Sequence, residues 1–256
     1  MIEEALLPFV SERFLNDERY RDGHLRIINA LPHRRVIGMH IPDMKRLARD
    51  LCRQGGSKDI IRSFENEPAE SLSYEEMTIW GYLVNMQKCT FEERLQMVSR
   101  FIPVMDCWAV CDSWCCNAKW IAKADRERMW AWLQTYFNSD REFEVRFAVI
   151  VSMLYFLREE WLDRIFDTID AIDFSRIRSA YRTAKGKPAK PQEGTVQGAE
   201  PYYVRMGVAW LLASALAKYP DRTRDYVNRS QLPDDVIKLY IRKARESYRT
   251  RTANAL

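Results

Sequence analysis

The chain has 256 residues, 47% of them apolar, and a formal net charge of +4, which suits one large domain or one repeat array with a real core. No run approaches the roughly 18 uninterrupted apolar residues that a membrane span needs. The opening stretch MIEEALLPFVSERF carries early acids and lacks the cationic leader of a secretory signal, so the expected compartment is the cytoplasm.

Glycine is scarce, at 9 residues, and no strand-type alternation is sustained, so the chain reads as all helix. Helices are expected near 2–16, 19–30, 42–54, 57–66, 73–87, 91–101, 107–117, 125–138, 141–157, 160–171, 202–218, 221–229 and 233–250. Ser73 to Glu76, Thr90 to Glu93 and Ser139 to Glu142 each fit the S/T-x-x-E capping box, in which two side chains satisfy backbone donors at a helix start. Pro42 and Pro233 suit first helical positions, each followed by an aspartate. Helices of this length on short loops pair antiparallel, and pairs in series bury their faces against their neighbours. The expected fold class is therefore all-α: a HEAT-like helical-repeat solenoid with a concave basic groove, one domain over 1–256. No clear period is visible, so the stacking is inferred from element lengths. Ala184 to Glu200, rich in Lys, Gly, Pro and Gln, is expected to be a mobile surface loop.

Four of the six cysteines, Cys107, Cys111, Cys115 and Cys116, crowd into ten residues. They lack paired C-x-x-C spacing and have no histidine nearby, and His24, His33 and His40 share no ligand spacing with an acid. The expectation is small buried core residues, with no metal and no cofactor. Basic charge gathers in the last third. Phe174 to Gly198 holds Arg176, Arg178, Arg182, Lys185, Lys187 and Lys190 against Glu193. Val236 to Leu256 holds Lys238, Arg242, Lys243, Arg245, Arg249 and Arg251 against Glu246. Each run alone is a solvated face; together they point to a polyanionic partner.

Three residues break the helical pattern. In 141–157, Phe143, Phe147, Ile150, Val151, Leu154 and Leu157 form one apolar arc, with Arg146 inside it near one edge. A guanidinium there needs a partner such as Glu142, one turn earlier, or faces a phosphate. Asp112 shares a helix face with Trp108, Cys111 and Cys115, where a half-desolvated carboxylate is either paired or catalytic. In 202–218 the arc is Val204, Val208, Leu211, Leu212 and Ala215. Trp210 projects from nearly the opposite side, beside Tyr203, Met206, Gly207 and Ser214. It either packs on a neighbouring repeat or offers a stacking surface.

These outliers fall on motifs that resemble those of the AlkD-like DNA alkylation repair family. Trp108 to Ser113 (WAVCDS) resembles its W-x-x-x-D motif, Arg146 to Ile150 (RFAVI) its arginine-bearing helix, and Val204 to Trp210 (VRMGVAW) its helix ending in tryptophan. Ile37 to Pro42 followed by Arg46 resembles its G-x-x-x-P-x-x-R/K segment. The likeness runs from about residue 20 to 245 in the same order. It implies a monomeric glycosylase that excises cationic N3- or N7-alkylated purines from double-stranded DNA. By position, Asp112 matches the catalytic carboxylate, and Trp108 and Trp210, with Tyr203, the lesion cleft. Arg146, Arg205, Arg242 and Lys243 are the candidate DNA-binding cations. Departures from the family pattern are Cys107 and Ala109, where relatives carry an aromatic and an acid, and Met206, where they often carry lysine. The four residues Trp108, Asp112, Arg146 and Trp210 are expected to line one groove. The rival reading is a non-catalytic helical-repeat protein that binds nucleic acid or a protein partner.

Overall fold

The computed structural model describes residues 2–182, 190–197 and 201–251. Fourteen α-helices occur among them, and the fold is all-α and of helical-repeat type. The chain divides into two compact units: Met1–Ala124 with Lys190–Gly194, and Asp125–Ala189 with Thr195–Leu256.

The first unit holds α1 (Glu3–Leu6), α2 (Glu12–Asn16), α3 (Glu18–Ile28), α4 (Ile41–Gln54), α5 (Ser57–Asn66), α6 (Tyr74–Met86), α7 (Phe91–Phe101) and α8 (Trp108–Asn117). The single helix expected over 2–16 is interrupted. Pro8 sits in a 3-10 turn, Leu7–Phe9, and Val10 then extends to bridge Met39 antiparallel. Proline lacks the N–H that would continue the helix. Helix α6 is the hub, packing against α4, α5, α7 and α8. Beyond Glu75 and Glu76 its sequence is mostly apolar, and it is buried from Tyr74 to Val84. Trp80 stacks on Phe64 at 5.9 Å and meets Phe101 edge-on at 5.2 Å. The capping boxes at Ser73 and Thr90 both form.

Polar atoms inside this unit are matched to backbone ends. The Glu75 carboxylate accepts from the N–H groups of Ile37 at 2.9 Å, Gly38 at 2.8 Å and Met39 at 3.3 Å. Arg94 donates to the carbonyls of Val84, Asn85 and Gln87 at the end of α6. Arg34 joins Asp106 at 2.7 Å and donates to the carbonyls of Ala69 and Leu72.

The second unit holds α9 (Arg126–Phe137), α10 (Glu142–Val151), α11 (Leu162–Asp170), α12 (Tyr202–Lys218), α13 (Pro220–Arg229) and α14 (Asp234–Glu246). Helix α10 packs on α9 and α12, and α12 also packs on α13 and α14. The arc Val204, Val208, Leu211, Leu212 and Ala215 is fully buried, as its spacing requires. Two strands, β1 (Arg178–Arg182) and β2 (Lys190–Gln197), form a two-stranded sheet. This corrects the loop expected over 184–200: residues 190–197 are strand, while 184–189 and 198–200 lie outside the described residues. The third capping box is also absent. Arg141, not Ser139, caps α10, and the Ser139 hydroxyl bonds Glu144 at 2.8 Å.

The α10 pattern was expected to run helically to 157. It instead widens into a π-helix over Ser152–Phe156. A π turn carries an extra residue, so it rotates later side chains off the α-helical arc. Leu154, expected in the buried arc, is accordingly 38% exposed.

Gly38 makes the first unit's fold testable at one atom. Its φ is +104°, and an added Cβ would lie 2.2 Å from the Phe14 ring. Gly38→Ala should destabilise the protein by at least about 2 kcal/mol, from backbone strain plus overpacking. An unchanged urea midpoint would contradict this placement of Phe14 against the turn.

Candidate active site

Helix α8 begins after Cys107, whose extended backbone serves as its N-cap. Its period places Trp108, Cys111, Asp112 and Cys115 along one side. Cys107, Cys111 and Cys115 have no exposed surface, matching the small-core reading, and Asp112 keeps 9%. Cys116 lies at the surface. Among the described residues no group of His, Cys, Asp and Glu is arranged to hold a metal ion. The half-buried Trp108 donates its indole N–H to the Ile27 carbonyl at 3.0 Å, which fixes the ring one turn before Asp112.

The Asp112 charge is felt by its neighbours. The Cys115 thiol is pushed well up, first by burial, then by Cys111 and by the negative charge of Asp112. The Cys116 thiol is raised by partial burial and then by Asp112, against a smaller opposing pull from Lys45. Both sulfurs therefore stay protonated near neutral pH. The carboxylate shares its side of α8 with the Trp108 indole and the thiols of Cys111 and Cys115.

In the second unit, Glu142 and Arg146 reach from α10 to the start of α12. Glu142 is 3% exposed and accepts from the Tyr203 N–H at 2.7 Å and the Ser179 hydroxyl at 2.5 Å. Arg146, 5% exposed, donates to the Tyr203 carbonyl at 2.5 Å and stands over the Tyr203 ring at 5.8 Å. The guanidinium faces the interior of the unit, not solvent. Tyr203 is itself buried, with its ring against Phe143 and Tyr181. Its expected place on the open side of the helix is thus corrected: a residue at the first turn is held by the neighbouring helix before the outward face begins. Arg205 is also mostly enclosed, paired with Asp235 and lying over Phe174 at 5.7 Å.

Of the three predicted cleft aromatics, Trp210 is the exposed one, at 36%. It forms a wall of a hollow of about 640 Å³ in this unit. Met153 and Leu154 of the π turn line it, as do Ala213, Ser214 and Ala217 of α12. Lys218, Lys243, Glu246 and Arg249 are also in its lining. Lys243 pairs with Glu246 at 2.9 Å, and Lys218 reaches the Leu157 carbonyl at 3.4 Å. Arg242 is exposed on α14, 3.5 Å from Glu246 and 3.5 Å from the Met206 sulfur. Sequence reasoning passes over Lys218, places Leu154 in the buried arc and counts Arg249 only within a basic run. The spacing of Trp210, Ala213, Ser214, Ala217 and Lys218 does mark a second α12 face, small between an aromatic and a cation. No sequence signal marks the π turn that exposes Leu154.

Of the predicted site residues, the first unit holds Trp108 and Asp112, and the second holds Arg146, Tyr203, Arg205, Trp210, Arg242 and Lys243. Residues 16–173, more than half of the chain, match the family model described as DNA alkylation repair enzyme. No curated protein and no solved structure matches the chain.

The Glu142 contact carries a pH signature. Burial pushes its carboxyl up to about 7, against the downward pulls of Ser179, the Tyr203 N–H and Arg146. A carboxyl raised above its unfolded value of 4.5 binds its proton more tightly when folded. Its contribution is full below about pH 4.5 and is lost as pH rises through about 7. The span is on the order of 3 kcal/mol. Glu142→Gln should flatten the fall in stability between those pH values; a variant that declines as steeply as the parent would refute the assignment.

Proposed function

Because the chain belongs to the DNA alkylation repair enzyme family, we propose that it acts in repair of alkylated DNA as a glycosylase, releasing cationic N3- or N7-alkylated purines. The observation that carries this reading is Asp112: an acid at 9% exposure, one turn beyond a fixed tryptophan and flanked by protonated thiols.

An alkylated purine of this kind already bears positive charge, so it leaves without strong protonation. As the N-glycosidic bond breaks, positive charge develops on the deoxyribose. The Asp112 carboxylate opposes that charge and orients the water that attacks the sugar carbon. The water's oxygen bonds to the sugar, its proton passes to the carboxylate or to solvent, and the neutral purine departs with the bonding pair. Trp108 and Trp210 present ring faces that favour a cationic sugar. Arg242 and Lys243 supply phosphate contacts, while the enclosed Arg146 and Arg205 position α12 and α14. This mechanism requires Asp112 and Trp210 to approach the same nucleotide.

Release of labelled 3- or 7-methylpurine from alkylated duplex DNA tests the activity directly. Asp112→Asn keeps the side chain's size and removes its charge, so excision should fall about 10²–10³-fold with DNA affinity and melting temperature preserved. A stable variant that excises at the parent rate would sink the mechanism. Tight binding of DNA by the parent without any release would favour the non-catalytic reading. Affinity for duplex DNA should fall with salt, because phosphate neutralisation releases counterions. Arg242→Glu with Lys243→Glu should weaken binding and flatten that salt dependence without changing lesion choice; an altered choice would place these residues on the base.

A further inference from the structure

We propose that Lys45 is the phosphate contact of the first unit: its ammonium holds the DNA backbone beside the nucleotide whose sugar faces Asp112. The inference rests on the reading of Asp112 as the acting carboxylate on DNA and extends it, because the cations assigned so far to phosphates, Arg242 and Lys243, belong to the second unit.

A row of side chains leads from α4 to that carboxylate. Helix α4 packs on α6, and α6 on α8. Met44 and Ala48 of α4 are buried, and Lys45 stands half-buried at the edge of their face. Its ammonium lies over the Tyr82 ring of α6, 5.9 Å from the centroid. Tyr82 has no exposed surface, and its hydroxyl shares a hydrogen bond of 2.5 Å with the Ser113 hydroxyl of α8. Ser113 follows Asp112 in the chain, and Cys116, one turn beyond Asp112, reaches the surface. This side of α8 is thus open to solvent where the row arrives. The Cys116 thiol registers both charges: after burial, Asp112 raises it most, and Lys45 pulls it down.

The next cation of α4 is differently placed. Arg46 has a side chain 57% exposed and closed on Asp43 at 2.6 Å. Among the described residues Lys45 forms no ion pair. An ammonium carries three donors, and a stem laid along an aromatic ring leaves them free for an incoming anion. Lysine meets a phosphate as a point charge on a flexible stem, which suits a backbone that slides into place. The demand is electrostatic. A carboxylate repels the phosphates on either side of the nucleotide it must approach. A cation on the same unit, near enough for both charges to act on one thiol, offsets that repulsion. Because it does not pair with the acid, it leaves the negative charge that the sugar cation needs.

The test uses duplexes carrying a tetrahydrofuran abasic analogue, which has no base to release, so binding is read apart from excision. Phosphates near the analogue are replaced one at a time by a neutral methylphosphonate. At a phosphate adjoining the analogue the parent should lose affinity about tenfold, the lower end for a charged hydrogen bond. Lys45→Gln keeps a stem over Tyr82. It should bind the unmodified duplex weakly by the same factor, lose nothing further at that phosphate, and melt at the parent temperature. Its affinity should also depend less on salt, by about one unit of log–log slope. Lys45→Arg should restore both the affinity and the slope. Losses that add at every phosphate overturn the proposal, as does coupling that appears with Arg46→Gln instead. A lowered melting temperature with an unchanged phosphate map overturns it too, in favour of a packing role. Coupling without methylpurine release from alkylated DNA would keep the phosphate contact and remove the glycosylase reading; release without coupling would do the reverse.

Discussion

A helix buried along its length also buries its ends, and the free N–H and C=O groups there need partners other than water. Helices α6 and α10 are such helices, and the polar interior around them follows from that requirement. Arg94 takes the carbonyls at the end of α6. The capping box at Ser73 closes its start, where Glu76 also accepts from the Ile2 N–H at 3.1 Å. The next acid, Glu75, holds three consecutive N–H groups of the turn through Gly38. In the second unit Glu142 stands at the start of α12 and takes the Tyr203 N–H there. A carboxylate at a helix N-terminus also meets the favourable end of the helix dipole. Charges that are costly in an apolar interior are therefore retained because removing any one of them strands backbone groups that water cannot reach.

This arrangement gives the second unit a way to aim Trp210. Glu142 and Arg146, one turn apart on α10, grip the N–H and the C=O of the same residue, Tyr203. Holding both backbone groups of one residue fixes the rotation of α12 about its axis as well as its height. Gly207, one turn on, faces the same guanidinium: a Cβ there would make ordinary contact with it at 3.5 Å. Trp210 comes less than one further turn along the same rigid helix, so its direction into the hollow is inherited from the clamp. Arg146 can thus matter to nucleic-acid handling without touching a phosphate.

Sequence reading reached the helices because apolar period and capping residues are local signals. The boxes at Ser73 and Thr90, the arc of α12 and the buried cysteines of α8 all follow from such signals. It missed features that depend on what a residue meets elsewhere. Ser139 has the spacing of a cap, but Glu142 is drawn to Tyr203 and Ser179, so no box forms. Arg146 is a cation on an apolar arc in either reading; only the position of the Tyr203 carbonyl decides between an interior contact and an outward one. The strands β1 and β2 carry too little alternation to announce themselves, and Leu154 owes its exposure to a π turn with no compositional mark. For the candidate acid, the pattern of Trp108 and Asp112 on one side of α8 was legible; the protonation state of the thiols around it required burial to be known.

The family match ends at residue 173, before α12 begins. Asp112 and Trp108 lie inside the matched segment, whereas Trp210, Lys218, Lys243 and Arg249 lie outside it. The division is chemically sensible under the proposed function. Breaking a bond to an already cationic base asks little of a catalyst beyond one well-placed negative charge, and that need is the same for every such lesion. A carboxylate repels phosphates, so cations must draw the polymer in, and in the second unit Lys218, Lys243 and Arg249 line the hollow that Trp210 also lines.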